Sequence, residues 1–379
     1  MSKLLEQINT ESKPHLVSDL ADIKYGFGLP EPKRIKGIIP VYASSGIVGY
    51  HNEAKVTKPA IIIGRKGNIG SLYFSEKPSY PIDTAFFIDE TKEGFDLKYI
   101  FYLLKKINLP RYGGDSAVPG LSRDTIYSLQ VDAPNLPTQK KIAEILSAYD
   151  VKIENNNKII KNPEATAQNI FNEWFINFRF PGHEKANMVE SEMGEIPEEW
   201  EVKPLDEIAE FLNGVASQKY PAEDVDDSLP VIKIREMNSG IDKNSDRATR
   251  NIESKYIIKN GDILFAWSGS LSLMVWVGGE GVLNQHIFKV TSENYPKWFI
   301  YYWTNKHLQN FKTIAEGKAT TMGHIQRHHL TESKVVVPDE LILKKADIIL
   351  EPIFKQLISL QEENISLKQS RDQLLAKLI

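Results

Sequence analysis

Residues Pro137 to Ile160 read PTQKKIAEILSAYDVKIENNNKII, and Ile142, Leu146, Tyr149, Ile153, Asn156 and Ile160 follow one another at steps of 4, 3, 4, 3 and 4. A period of about 3.5 gives a narrow stripe, which suits a helix packed on another helix better than one packed on a broad sheet. The partner is in the same chain: Ile353, Leu357, Leu360, Asn364, Leu367, Arg371, Leu374 and Leu378 again alternate steps of 4 and 3. The two segments predict a coiled coil, antiparallel if the copies described below are related by a pseudo-twofold axis, against the alternative of two separate surface helices. Setting Asn156 opposite Asn364 lets two buried amides satisfy each other. That register places Ile153 against Leu367, Ile160 against Leu360, Leu146 against Leu374 and Ile142 against Leu378. Pro163 follows soon after the first seam, and a helix-interior proline costs about 3 kcal/mol. A kink or a restart is expected there, with EATAQNIFNEWF (Glu164 to Phe175) as a further amphipathic helix.

The two arms are copies, and so is the sequence before them. LKKADIILEPIFKQL from Leu343 lies over QKKIAEILSAYDVKI from Gln139 at an offset of 204, as ESKVVVPDELIL from Glu332 lies over SLQVDAPNLPTQ from Ser128. Further upstream the offset is 202, for DILFAWSGSLS (Asp262) over AIIIGRKGNIG (Ala60) and for QHIFKV (Gln285) over DTAFFI (Asp83). VKPLDEI (Val202) over VSDLADI (Val17) gives 185. Loop insertions explain such drift, because loop closure entropy grows slowly with length. The chain reads as a tandem duplication of a mixed α/β globule of the α+β kind followed by a long helix. The expected divisions are a first globule at 1–136, a helical arm at 137–182, a second globule at 183–338 and a C-terminal arm at 339–379. AIIIG, SLYFS, TAFFI and KVVVP read as strands, DLKYIFYLLKKI and PKWFIYYWTNKHLQNF as amphipathic helices.

With 379 residues, 41% of them apolar and 25% charged, the chain has room for at least two cores. No apolar run reaches the 18 or so residues of a membrane span, and MSKLLEQINTESKPH lacks the apolar core of a signal peptide. A cytoplasmic protein is expected, and the absence of cysteine excludes disulfides and thiolate metal sites. A net charge of −4 argues against a globally basic nucleic-acid binder, although residues 1–136 carry 17 Lys+Arg against 15 Asp+Glu.

The phrases LPTQKKIAEILSAYDVKIENNNKII, EATAQNIFNEWFINF and GEIPEEWEVKPLDEIAEFLNG, in this order and with the paired blocks above, resemble the specificity subunit of type I restriction-modification systems. The likeness covers nearly the whole chain. It implies two target-recognition domains that each read one half of a bipartite, gapped site in double-stranded DNA. It also implies that the antiparallel helices set the spacer and dock two modification subunits, with or without restriction subunits. No cofactor is expected on this chain; S-adenosylmethionine, ATP and Mg belong to the partner subunits. Pro163 departs from the pattern. About 25 helical residues span roughly 37 Å, near one turn of B-DNA.

The catalytic alternatives are thin. Asn135-Leu136-Pro137 is not the Asn/Asp-Pro-Pro-Tyr/Phe of an amino-methyltransferase, and no Walker-type P-loop occurs. Gly64, Gly67 and Gly70 have the wrong spacing for a dinucleotide loop, and the second copy keeps only Gly269. Asp83, Glu90 and Lys92 imitate a metal-dependent nuclease and form the rival reading, against a strand that ends in a charged turn. A coiled-coil adaptor without a DNA role is a third reading. His324, His328 and His329 include a helical i, i+4 pair able to bind zinc. With no cysteine and no obvious third carboxylate, a DNA-facing or capping role is preferred, and no metal is expected.

DNA-facing residues follow from side-chain chemistry and repeat position: arginine, lysine and hydroxyls grip phosphates, while arginine, asparagine, glutamine and histidine read bases. GRKGN supplies Arg65, Lys66 and Asn68, and its counterpart AWSGS supplies Trp267, Ser268 and Ser270. Two further polar stretches contribute Ser116 and Arg123, and Lys318, Thr320, Thr321 and Arg327, with the two arginines aligned at 204. Ser44 and Ser45 of YASSG and Lys233 and Arg235 of IKIREMN complete the set. The alternatives are plain turns for the loops, and capping or ion pairing, with Asp124 among the partners, for the arginines.

Overall fold

The structure, a computed structural model, describes residues 12–113, 120–224, 226–317 and 323–379. It divides into two compact units, Met1–Ile153 with Leu367–Ile379 and Glu154–Ser366. Along the first run β1 (Lys13–Leu16), β2 (Lys24–Tyr25), β3 (Ile39–Ala43), β4 (Gly46–His51), β5 (Ala60–Gly64), β6 (Leu72–Ser75), β7 (Tyr80–Pro81), β8 (Ala85–Ile88), α1 (Leu97–Ile107), α2 (Arg123–Tyr127), β9 (Gln130–Ala133) and α3 (Leu136–Phe171). Then follow β10 (Met188–Ser191), β11 (Gly194–Pro197), β12 (Glu201–Pro204), β13 (Glu210–Asn213), β14 (Ser228–Ile232), β15 (Arg247–Thr249), β16 (Ile257–Ile258), β17 (Ile263–Ala266), β18 (Ser272–Val275), β19 (Gly281–Leu283), β20 (Ile287–Thr291), α4 (Lys297–Glu316), α5 (Arg327–Glu332), β21 (Lys334–Val337) and α6 (Glu340–Leu378).

Each unit is built on one antiparallel four-stranded sheet, β2-β8-β5-β6 in the first and β13-β20-β17-β18 in the second. The central ladders match residue for residue at offset 202: Ile61, Ile62, Ile63 and Gly64 face Ile88, Phe87, Phe86 and Ala85, and Ile263, Leu264, Phe265 and Ala266 face Val290, Lys289, Phe288 and Ile287. AIIIG is apolar throughout because both faces of β5 are covered. Ile61 and Ile63 enter the core with α1, while Ala60 and Ile62 pack on the other side with Tyr42 and Phe87. A second sheet with one parallel pair recurs too, β3 with β7 and β14 with β19.

The offset of 185 expected at the start of the second copy is corrected to 188. Lys13–Leu16 pairs with β9 as Glu201–Pro204 pairs with β21, and the following turns bury Val17 and Leu20 in one unit, Leu205 and Ile208 in the other. Strand pairing, rather than the best local letter match, sets the equivalence.

Both long helices start on a side-chain cap, Asn135 Oδ1 accepting the Thr138 N–H at 3.0 Å and Asp339 Oδ1 the Ile342 N–H at 3.0 Å. These caps stand 204 residues apart. The restart expected at Pro163 does not occur: α3 runs unbroken to Phe171, and α6 likewise contains Pro352. Ala167, Phe171 and Phe175 lie fully buried in the second unit's core, and that packing outweighs the local cost of one proline.

The arms pair antiparallel. In the first unit Ile142 and Leu146 of α3 share a core with Leu375 and Leu378 of α6, Leu374 packing alongside, and Arg371 is ion-paired with Asp150. Tyr102 also donates to Asp150, and burial followed by this bond pushes its phenol pKa up. In the second unit Asn156 and Asn364 are buried in the seam but do not bond to each other. Asn156 Nδ2 donates to Glu363 Oε2 at 2.8 Å and Asn364 Nδ2 to Asn157 Oδ1 at 3.0 Å, each one residue from the expected partner. A carboxylate is the stronger acceptor, so Asn156 turns to it. Ile153 and Leu357 are buried, while Ile160, Leu360 and Leu367 are half-buried.

Candidate nucleic-acid interface

The first unit gathers two arginines on one tyrosine. Strand β2 is only two residues long and is placed by pairing with β8, which sets Tyr25 beside Phe86. The Arg65 guanidinium lies 4.9 Å from the Tyr25 ring centre and 5.6 Å from that of Phe86, and the Arg123 guanidinium 5.2 Å from Tyr25. The backbone holds Arg65 and ties it to the segment that leads into Arg123: Arg65 N–H donates to Thr84 O at 2.9 Å, and Leu121 N–H donates to Arg65 O at 3.0 Å. Arg65 Nη1 donates to the Asp83 carbonyl at 3.2 Å, and Arg123 Nε is buried without a partner. Among the described residues neither guanidinium has a carboxylate ion pair. Two adjacent cations without a counter-ion create a positive potential beside a half-exposed aromatic ring, which suits phosphate or guanine.

Lys66 and Asn68 are exposed on the same loop, and Ser71 Oγ donates to Ser44 O, drawing the buried Ser44 and exposed Ser45 of the β3–β4 turn against it. Gly70 has φ +70° and a side chain there would sit 2.4 Å from Pro110 N, so this glycine serves close packing.

The second unit repeats the frame with different side chains. Trp267 N–H donates to His286 O at 3.2 Å and Ile325 N–H to Trp267 O at 3.1 Å, the counterparts of the Arg65 bonds. Trp267 therefore stands where Arg65 does, Phe288 for Phe86, Arg327 for Arg123 and Asn213 for Tyr25. Trp267 stacks on Phe288 with centroids 5.6 Å apart, its Nε1 donates to Asn213 Oδ1 at 2.9 Å, and Ser268 Oγ meets His286 Nδ1 at 3.0 Å. Arg327 lies 5.6 Å from the Phe288 ring centre and donates to Phe211 O at 3.2 Å. Asn213, Trp267, Phe288, His324, Ile325, Gln326 and Arg327 line a pocket of about 360 Å³. Ser270 is exposed on the adjoining loop.

Lys233 pairs with Asp246, and Arg235 with the buried Glu236 at 2.6 Å and with Asp242 at 3.2 Å, both side chains remaining partly exposed. Ser116, Lys318, Thr320 and Thr321 lie outside the described residues. Tyr25 and Asn213 escaped the sequence reading; the offset of 188, carried a few residues further, aligns them.

The nuclease constellation is not assembled. Asp83 precedes β8 and Glu90 follows it, seven residues and roughly 20 Å of extended chain apart. Glu90 is taken by Lys58 at 2.6 Å, which holds its carboxyl below the usual range, and Lys92 by Asp22 at 3.5 Å. Among the histidines, His329 Nδ1 accepts the Gln326 N–H at 2.9 Å and so caps α5. Glu332 brings a carboxylate that the sequence reading passed over, the ligand atoms of His328, His329 and Glu332 lying within 4.8 Å of one another. Among the described residues no helix is long and apolar enough to cross a membrane.

Comparison with known proteins agrees with this duplicated frame. The specificity subunit of the type I restriction enzyme MjaIX of Methanocaldococcus jannaschii is 26% identical over 343 residues, covering 85% of this chain and 77% of that protein. The HindI specificity subunit of Haemophilus influenzae is 22% identical over 387 residues, covering 83% and 84%. The fold matches the crystal structure of the type I restriction-modification S subunit from M. genitalium with a TM-score of 0.62 at 17% identity, over 97% of this chain and 96% of that one. The model of the type I restriction modification DNA specificity domain matches twice, at residues 11–163 and 197–369. With both copies of the duplication accounted for, the chain belongs to the type I restriction-modification DNA specificity family.

Proposed function

We propose that this chain is the non-catalytic, DNA-reading subunit of a type I restriction-modification complex in the cytoplasm. Each unit reads one half of a bipartite, gapped target in double-stranded DNA, and the paired arms fix the gap and dock two modification subunits. S-adenosylmethionine, ATP and Mg are used by partner subunits. The observation that carries the reading is the recurrence of one backbone frame with unlike side chains, Arg65 and Tyr25 in one unit against Trp267 and Asn213 in the other. Two readers with a shared scaffold and different contact residues suit an asymmetric target.

The contacts assigned to DNA are Ser44, Ser45, Arg65, Lys66, Asn68 and Arg123 in the first unit and Trp267, Ser268, Ser270 and Arg327 in the second. The test is to co-express the chain with a modification subunit in a methylation-free host and map methyladenine. A single gapped, asymmetric motif is expected. An intact complex that methylates nothing, or a purified chain that cuts DNA with Mg²⁺ alone, overturns the reading.

A further inference from the structure

At the place where the first unit stacks two guanidinium groups on Tyr25, the second unit has a pocket. Its volume, about 360 Å³, lies at the lower end of the range of small-molecule clefts. The walls are aromatic, Trp267 stacked on Phe288 with His324 edge-on to Trp267 at 6.3 Å. The polar groups are few and placed at the rim. Asn213 spends its Oδ1 on Trp267 Nε1, which leaves its amide nitrogen as a donor without a partner among the described residues. Gln326 is exposed beside it, and Arg327 supplies the one cation.

We propose that this pocket receives a single nucleobase swung out of the stack in the half-site that the second unit reads. The inference rests on the DNA-reading function proposed above and adds the ligand of this site. A base inside a duplex shows the protein only its edge, so a ring can lie on Trp267 only after leaving the stack. Enzymes that methylate a base extrude it, and the base left opposite is unpaired and costs less to unstack. The first unit, with Arg65 in place of Trp267 and Tyr25 in place of Asn213, presents a guanidinium stacked on rings there and holds the backbone or a guanine instead. The two half-sites are thus bound by different chemistry on one frame.

The experiment uses the complex of this chain with its modification subunits and a duplex carrying its mapped motif. Each nucleotide of the second half-site is replaced in turn by an abasic residue, and affinity is measured for the native complex and for Trp267→Ala. On the intact duplex Trp267→Ala is expected to bind about 5-fold to 150-fold more weakly, the range of one lost base–aromatic stack. On the duplex lacking the base at one particular position, the substitution is expected to have no effect. Trp267→Phe keeps a ring and retains most of the affinity, and Gln326→Ala, at an exposed position, couples to that same position. Equal losses for Trp267→Ala at every abasic position, or no coupling for Gln326→Ala anywhere, overturn the proposal. A native complex that neither binds nor methylates any motif is a different failure, that of the DNA-reading function itself.

Discussion

Leu378, the penultimate residue, is fully buried, and it is buried in the first unit's core beside Ile142 and Leu146. The C-terminal turns of α6 therefore complete a globule encoded more than two hundred residues earlier. Leu378→Ala removes a buried isobutyl group and leaves a cavity, with a loss of about 3 kcal/mol expected. For a unit of this size each kcal/mol shifts the midpoint by about 2–4 °C, so the first unit is expected to melt about 6–12 °C lower. The sequence supplies the assay. All six tryptophans, at 174, 200, 267, 276, 298 and 303, lie in the second unit. Tryptophan fluorescence thus follows the second unit alone, while calorimetry follows both. The variant should split these signals, with the tryptophan transition unmoved and a calorimetric component displaced downward. A parallel fall in both, or no change in either, would refute the assignment of the tail to the first unit's core.

Arg65→Ala and Arg123→Ala should each lower the slope of log affinity against log salt by about 0.9 if each guanidinium neutralises one phosphate, read by titrations of the assembled complex at several salt concentrations. An unchanged slope with altered sequence preference would assign that arginine to a base instead. His307 is inside the second unit, its ring bonded to Lys334 O at 2.9 Å, and burial holds its pKa below the usual histidine value of 6.5. A depressed folded-state pKa means the unfolded chain takes up the proton first, so this contribution to stability is complete above pH 6.5 and is lost as pH falls through the folded value. His307→Gln should flatten the decline of the tryptophan-monitored midpoint below pH 6.5 relative to the native chain.

Periodicity made the architecture legible. The 4,3 seam, the offsets of 202 and 204 and the continuous apolar run of AIIIG each report a buried surface directly, and each recurs in the structure. Of the candidate site, the sequence showed the charged positions in aligned loops, Arg65, Arg123 and Arg327, which the structure places on aromatic rings. Tyr25 belongs to a two-residue strand whose position comes from Phe86, 61 residues away in sequence, and no local pattern reports that pairing. The ion pairs of Arg235 with the adjacent Glu236 and with Asp242, seven residues on, are short-range and leave no periodic trace in the sequence. Pro163 misled for the opposite reason: its local cost is real, and the aromatic packing downstream that overrides it is nonlocal.

The main-chain bonds at residues 65 and 267 involve only backbone atoms, as do the ladders beneath them, so their strength does not depend on which side chain the position carries. Phe288 and Arg327 already match Phe86 and Arg123, and two exchanges, Asn213→Tyr and Trp267→Arg, therefore transplant the first unit's cluster into the second. The variant gives up the Trp267–Phe288 stack and the Trp267–Asn213 bond, together about 1–3 kcal/mol, and regains part of that as arginine–aromatic contact. A fall in the tryptophan-monitored midpoint of only a few degrees is expected, with the other five tryptophans as reporters. Methylation maps should show the first half-site unchanged and the second altered. A change in the first half-site, or loss of folding in the second unit, would mean that side chains and frame are not separable, and that the duplication did not diversify by exchanging residues on a fixed backbone.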